Sequence, residues 1–74
     1  MAELVLRVRL VSGEQIDVTY DDPGTDDADE LTDRAIAALA EDSGVLRTSH
    51  GNRLVVLYGR GVAAVEVGPR GAVL

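Results

Sequence analysis

Residues 51–67 read GNRLVVLYGRGVAAVEV, and the interpretation of the Gly59-Arg60-Gly61 within them decides how the chain folds. Arg53 to Tyr58 is rich in β-branched and apolar residues on both of its alternating faces, which predicts a central strand. Val62 to Val67 alternates again, with Ala63, Val65 and Val67 on one side and Ala64 and Glu66 on the other. Two glycines between such runs supply the permissive dihedrals of a tight hairpin, with Arg60 at its exposed tip. A phosphate-binding role does not fit. The GRG precedes a strand and has neither the GxGxxG spacing nor the GK[ST] of a P-loop.

Working outward, His50-Gly51-Asn52 is a turn signal and Val45 to Ser49 a short strand before it. Upstream lies a helix. Asp27 followed by Glu30 matches a capping box, so the helix starts near Ala28. Its apolar stripe is Leu31, Ala35, Ala38 and Leu39, with Ala28 and Ile36 at the margins. Glu30, Asp33, Arg34, Ala37 and Glu41 point away. Ser43-Gly44 ends the helix where a left-handed residue is expected.

At the start of the chain, Leu4, Leu6, Val8 and Leu10 alternate with Val5, Arg7, Arg9 and Val11. This is the period of two of a half-buried strand with its arginines outward. Ile16, Val18 and Tyr20 form the apolar face of the next strand. A Ser12-Gly13-Glu14 loop would set Leu10 near Ile16, Val8 near Val18, and Arg9 opposite Asp17. DDPGTDD at 21–27 stops that strand. At the other end GPRG reads as a turn, leaving Ala72 to Leu74 as a tail or a last short edge strand.

The bulk properties bound the rest. Seventy-four residues make a single domain, since a chain this short buries only about 60% of its unfolded surface. There is no cysteine, so thiol chemistry, disulfides and thiolate zinc are excluded and a reducing, cytoplasmic setting is expected. No stretch approaches the roughly 18 apolar residues of a membrane span, and the N-terminus lacks the pattern of a signal peptide. The net charge is −6, every cation is arginine, and the only aromatics are Tyr20 and Tyr58. That composition argues against nucleic acid as a partner. Arginine without lysine, beside abundant Ala, Val, Gly and Asp, suggests a GC-rich, actinobacterial source.

Three features invite a chemical reading. The acidic run DDPGTDDADE at 21–30 offers clustered carboxylates, yet Pro23-Gly24 interrupts it and the alternate-ligand spacing of a calcium loop is missing. It reads as a solvated loop and helix cap, and no metal site is assigned. His50 is the only imidazole, and a strand sends Ser49 and His50 to opposite faces, so the pair is not a catalytic dyad. No catalytic or cofactor-binding residue is assigned, and the chain is not expected to be an enzyme. Arg7 and Arg9 could join Arg47 and Arg53 in a basic patch on the exposed sheet face, or pair with Asp17 and its neighbours.

The opening VRLVSGEQIDVTY and the helix after it resemble the first half of ubiquitin-like β-grasp domains over residues 4–42. Conjugating members of that group end in Gly-Gly, whereas this chain reads Gly71-Ala72-Val73-Leu74, so the resemblance implies a scaffold without a carrier role. AIAALAEDSGVL with GNRLVVLYGRGVAAVEV is similar to short actinobacterial proteins of unknown function with a helix, a hairpin and a V-E-V/I-G strand, matched here by Val65 to Gly68.

Together these features predict an α+β domain of order ββαββ(β), β-grasp-like, with a mainly antiparallel four- to five-stranded sheet and one helix on one face. If Val55 and Leu57 face the helix, then Leu54, Val56 and Tyr58 face a side that nothing in the chain covers. The expected function is a small acidic interaction or assembly module that meets a protein partner or a second copy. The expected contact residues are Arg7, Arg9, Leu54, Val56, Tyr58 and Arg60. An acidic inhibitor or immunity-type protein masking a basic surface is the alternative, and a small enzyme without a recognisable motif the third.

Overall fold

Leu4, Leu6 and Val8, at alternate positions of the first strand, are at most 3% exposed, because the period of two turns them all to the side on which the helix lies. A computed structural model describes residues 2–69. In it β1 (Ala2–Leu10), β2 (Gln15–Asp22), β3 (Val45–His50), β4 (Arg53–Tyr58) and β5 (Val62–Pro69) form one sheet of order β4-β3-β2-β1-β5. Every pairing is antiparallel. The helix α1 (Ala28–Ala40) lies between β2 and β3 in the chain. The order ββαβββ, with one helix on one face of a five-stranded antiparallel sheet, is the expected α+β class.

The core joins Leu4, Leu6 and Val8 to Val18 of β2, Leu31 and Ala35 of α1, Leu46 of β3 and Leu57 of β4. Ala35 is small enough for the helix axis to approach the sheet, and Ala38 and Leu39 extend the contact. Asp27 caps the helix, its Oδ1 accepting from the amides of Asp29 and Glu30 at 2.9 and 3.5 Å. The reciprocal half of the box runs through a third residue. The buried Thr25 hydroxyl accepts from the Asp27 amide at 3.1 Å and donates to Glu30 Oε2 at 3.2 Å. Asp22 of the same loop accepts from the Gly24 amide at 2.8 Å and pairs with Arg34, which pairs with Glu30 at 2.7 Å.

The first hairpin is registered differently from the sequence expectation. Val8 pairs with Ile16, Leu6 with Val18 and Arg7, not Arg9, with Asp17. The loop is Val11-Ser12-Gly13, closed by the Leu10 amide donating to Glu14 O at 2.8 Å and the Gly13 amide to Leu10 O at 2.9 Å. Gly13 has φ +94°, the left-handed residue of a three-residue loop with a bulge. A slip of two residues keeps every side chain on its own face, so the apolar pattern allows either register and the turn decides.

Gly59-Arg60-Gly61 corrects the expectation of a hairpin. The segment is a single turn of 3-10 helix, and β4 and β5 lie at opposite edges of the sheet. Four strand spacings in a flat sheet would separate those edges by about 19 Å. The four peptide steps from Tyr58 to Val62 reach at most about 14 Å. The sheet is therefore bent around the helix so that its edges approach at this end. Two main-chain bonds pin the link: the Gly59 amide donates to Gly44 O and the Val11 amide to Gly61 O, each at 2.9 Å. β4 is consequently an edge strand and not a central one. Its two apolar faces do not mean two covered faces, because β5 closes against the free side of β1 instead.

Two further glycine readings change. Gly44 has no positive φ. Its role is close approach, since a Cβ there would lie 1.7 Å from the carbonyl oxygen of Ala38. Gly68 and Pro69 belong to β5, where a proline is tolerated at the end of an edge strand. The expectations for residues 70–74 lie outside the described residues.

Candidate interaction surface

The face of the sheet away from α1 has two halves of different chemistry. Across its centre, antiparallel pairing sets Asp17, Arg7 and Glu66 in one row. Arg7 Nε and Nη2 donate to the two carboxylate oxygens of Asp17 at 3.0 and 3.3 Å, a fork-to-fork pair. That hydrogen bond holds the Asp17 carboxyl below the usual aspartate range, and the same bond raises Arg7. Arg9 reaches Gln15 at 3.5 Å. This half satisfies itself internally.

His50 sits at the seam between β2 and β3, where the ladder holds a single pair, Thr19 with Ser49. Its Nδ1 lies 2.6 Å from the Asp17 carbonyl oxygen. A carbonyl only accepts, so Nδ1 carries the proton and the imidazole serves as a substitute rung of the ladder. Ser49 lies across from Leu54 on the other face of β3 from His50. Among the described residues, no three His, Cys, Asp or Glu side chains are grouped to hold a metal ion, and no helix is long and apolar enough to cross a membrane.

The other half is apolar. Val45, Leu54 and Tyr58 are 47, 59 and 48% exposed, and the pairs Val45 with Tyr58 and Ser49 with Leu54 place them on one face of β3 and β4. Val56, half-buried, lies between Leu54 and Tyr58 and opposite Arg47. The Arg60 guanidinium is 5.1 Å from the centroid of the Tyr58 ring, a cation–π distance that draws Arg60 onto the end of this strip.

Of the residues singled out from the sequence, Leu54, Val56, Tyr58 and Arg60 are brought together at the β4 edge. Arg7 and Arg9 share the face, but β2 and β3 separate them from that strip. Arg47, expected on the exposed face, lies there beside Val56, whereas Arg53, expected with it, alternates to the helix side. Val45 was missed as a member of the patch. The basic character of this region is visible in the sequence as charge segregation, because residues 43–65 hold three arginines and no carboxylate in a chain with 13 acids. No family model matches this chain, and neither a curated protein nor a solved structure matches it.

Proposed function

We propose that this chain is a small, non-catalytic interaction module that meets another protein through the β3–β4 half of its open sheet face. The observation that carries this reading is the exposure of Val45, Leu54 and Tyr58 side by side at a sheet edge. Contiguous apolar surface of this kind is characteristic of contact sites. The central half of the face, where Arg7 is paired and Arg9 is hydrogen-bonded, acts as a polar margin. The absence of cysteine fits a reducing compartment such as the cytoplasm. An acidic inhibitor would instead use the exposed Asp29 and Asp33 of α1 together with Glu41 and Asp42 just beyond its end.

Photo-crosslinking separates these readings. A photoreactive side chain at position 54 is expected to give a discrete adduct in cells of the source organism, while one at position 33 gives none. An adduct at twice the chain's own mass identifies a second copy. Crosslinking from 33 but not from 54 favours the masking function, and silence at both overturns the module.

A further inference from the structure

Resting on that reading of the surface, we propose that the occupant of the β4 edge is an extended acidic segment of another protein, which pairs with β4 as an additional strand. The main chain is arranged for it. The Gly59 amide donates to Gly44 O, so 44 and 59 are a hydrogen-bonded pair, and alternation makes Leu46/Leu57, Thr48/Val55 and His50/Arg53 bonded pairs as well. The amides and carbonyls of Leu54, Val56 and Tyr58 therefore point out from the sheet edge. These are the same three residues whose side chains face the open side. An incoming strand would meet unpaired main-chain groups and an apolar strip together, which is the arrangement that strand addition uses.

The charge identifies the partner. Arg34 and Arg7 are each ion-paired. Among the described residues, Arg9, Arg47, Arg53 and Arg60 have no ion pair; Arg9 is hydrogen-bonded to Gln15, Arg47 and Arg60 border the strip, and Arg53 ends β4 on its opposite face. Arg53 and Arg60 flank β4 at its two ends, and Arg47 stands opposite Val56. A two-fold antiparallel pairing of β4 with a second copy would bring Arg53 of one chain to the Tyr58–Arg60 end of the other. Like charges would then meet at both ends. A strand with apolar residues toward Leu54, Val56 and Tyr58 and carboxylates at its ends removes that conflict.

The test uses fluorescence anisotropy with three eight-residue probes: valine alternating with glutamate, valine alternating with lysine, and the glutamate peptide N-methylated at alternate amides. The chain carries a net charge of −6, so non-specific attraction would favour the lysine peptide. The expected result is binding of the glutamate peptide at least ten-fold tighter than the lysine peptide, weakening as salt is raised. Binding should be lost on N-methylation, and the charge preference reversed in the doubly substituted Arg53→Glu, Arg60→Glu chain. Both arginines are exposed, and an unchanged far-UV spectrum confirms that the variant folds. Equal binding of both charged peptides, or binding that survives N-methylation, overturns the proposal. So does a wild-type chain that sediments as a dimer dissociated by Leu54→Asp. Failure of the glutamate peptide while position 54 still crosslinks a partner defeats the strand inference alone, and failure of both defeats the module as well.

Discussion

A Cβ on Gly59 would lie 2.0 Å from the carbonyl oxygen of Glu41 and 2.9 Å from that of Leu39. The linker between β4 and β5 thus rests directly on the C-terminal carbonyls of the helix, and the first glycine of the GRG is there for want of room. Gly61 has nothing within 4 Å of its Cβ position and no positive φ. Gly59→Ala is expected to destabilise by about 1–3 kcal/mol through overpacking, whereas Gly61→Ala should stabilise by about 0.4–1 kcal/mol by restricting the unfolded chain. Urea denaturation of the two variants checks this, and equal effects would contradict it.

The helix cap depends on Thr25 as well as Asp27. Asp27→Ala frees the Asp29 amide and should cost about 1 kcal/mol. Thr25→Val keeps the shape but leaves the Asp27 amide without its hydroxyl acceptor and removes one bond to Glu30, at a cost of about 1–3 kcal/mol. Because the two side chains serve one network, the double variant should lose less than the sum. A double-mutant cycle from chemical denaturation measures the coupling.

Acid should weaken the fold partly through Asp17. Its carboxyl is held low by the hydrogen bond from Arg7, so the pair's contribution is fully present above the ordinary aspartate pKa of about 3.9 and is lost as the pH falls through the depressed value. Melting temperatures of wild type and Asp17→Asn should therefore differ at pH 7 and converge as the pH falls below the depressed value. A gap that stays constant with pH would rule out the linkage.

Leu31 is fully buried at the point where the helix meets the sheet, and Leu31→Ala should destabilise by about 2–5 kcal/mol. Ile36, on the same helix but 54% exposed, should tolerate alanine with little change. Thermal unfolding followed by circular dichroism distinguishes the two.

What could be seen in the sequence was whatever a local period encodes. The faces of β1 and β2, the start of α1 at Asp27 and the outward direction of Leu54, Val56 and Tyr58 each follow from side-chain alternation over a few residues. The register of the first hairpin did not follow, because shifting Arg9 or Arg7 opposite Asp17 leaves the same residues inside, and only the Leu10–Glu14 closure separates the alternatives. The path through Gly59-Arg60-Gly61 was misread for a different reason. A glycine chosen for a left-handed turn and one chosen for contact with Leu39 and Glu41 look identical in sequence. Nothing near residue 60 signals that β5 will pair with β1. The exposed strip was half legible: Leu54, Val56, Tyr58, Arg60 and Arg47 were found by position, while Val45 joins them only once β3 is paired with β4.

The pairing of β1 with β5 runs from Leu10 with Val62 to Leu4 with Pro69, so one of the largest interfaces in the sheet joins segments near opposite ends of the described residues. Little of the core can be completed before nearly all of the chain is available, since Leu6 and Val8 are enclosed only when both flanking strands are in place. Closure of so long a loop adds entropy to the barrier and makes folding slow for a chain of this size. It should also make unfolding all-or-none. A ribosome would have to release β5 before β1 is secured, and a nick anywhere between them should unravel the whole sheet.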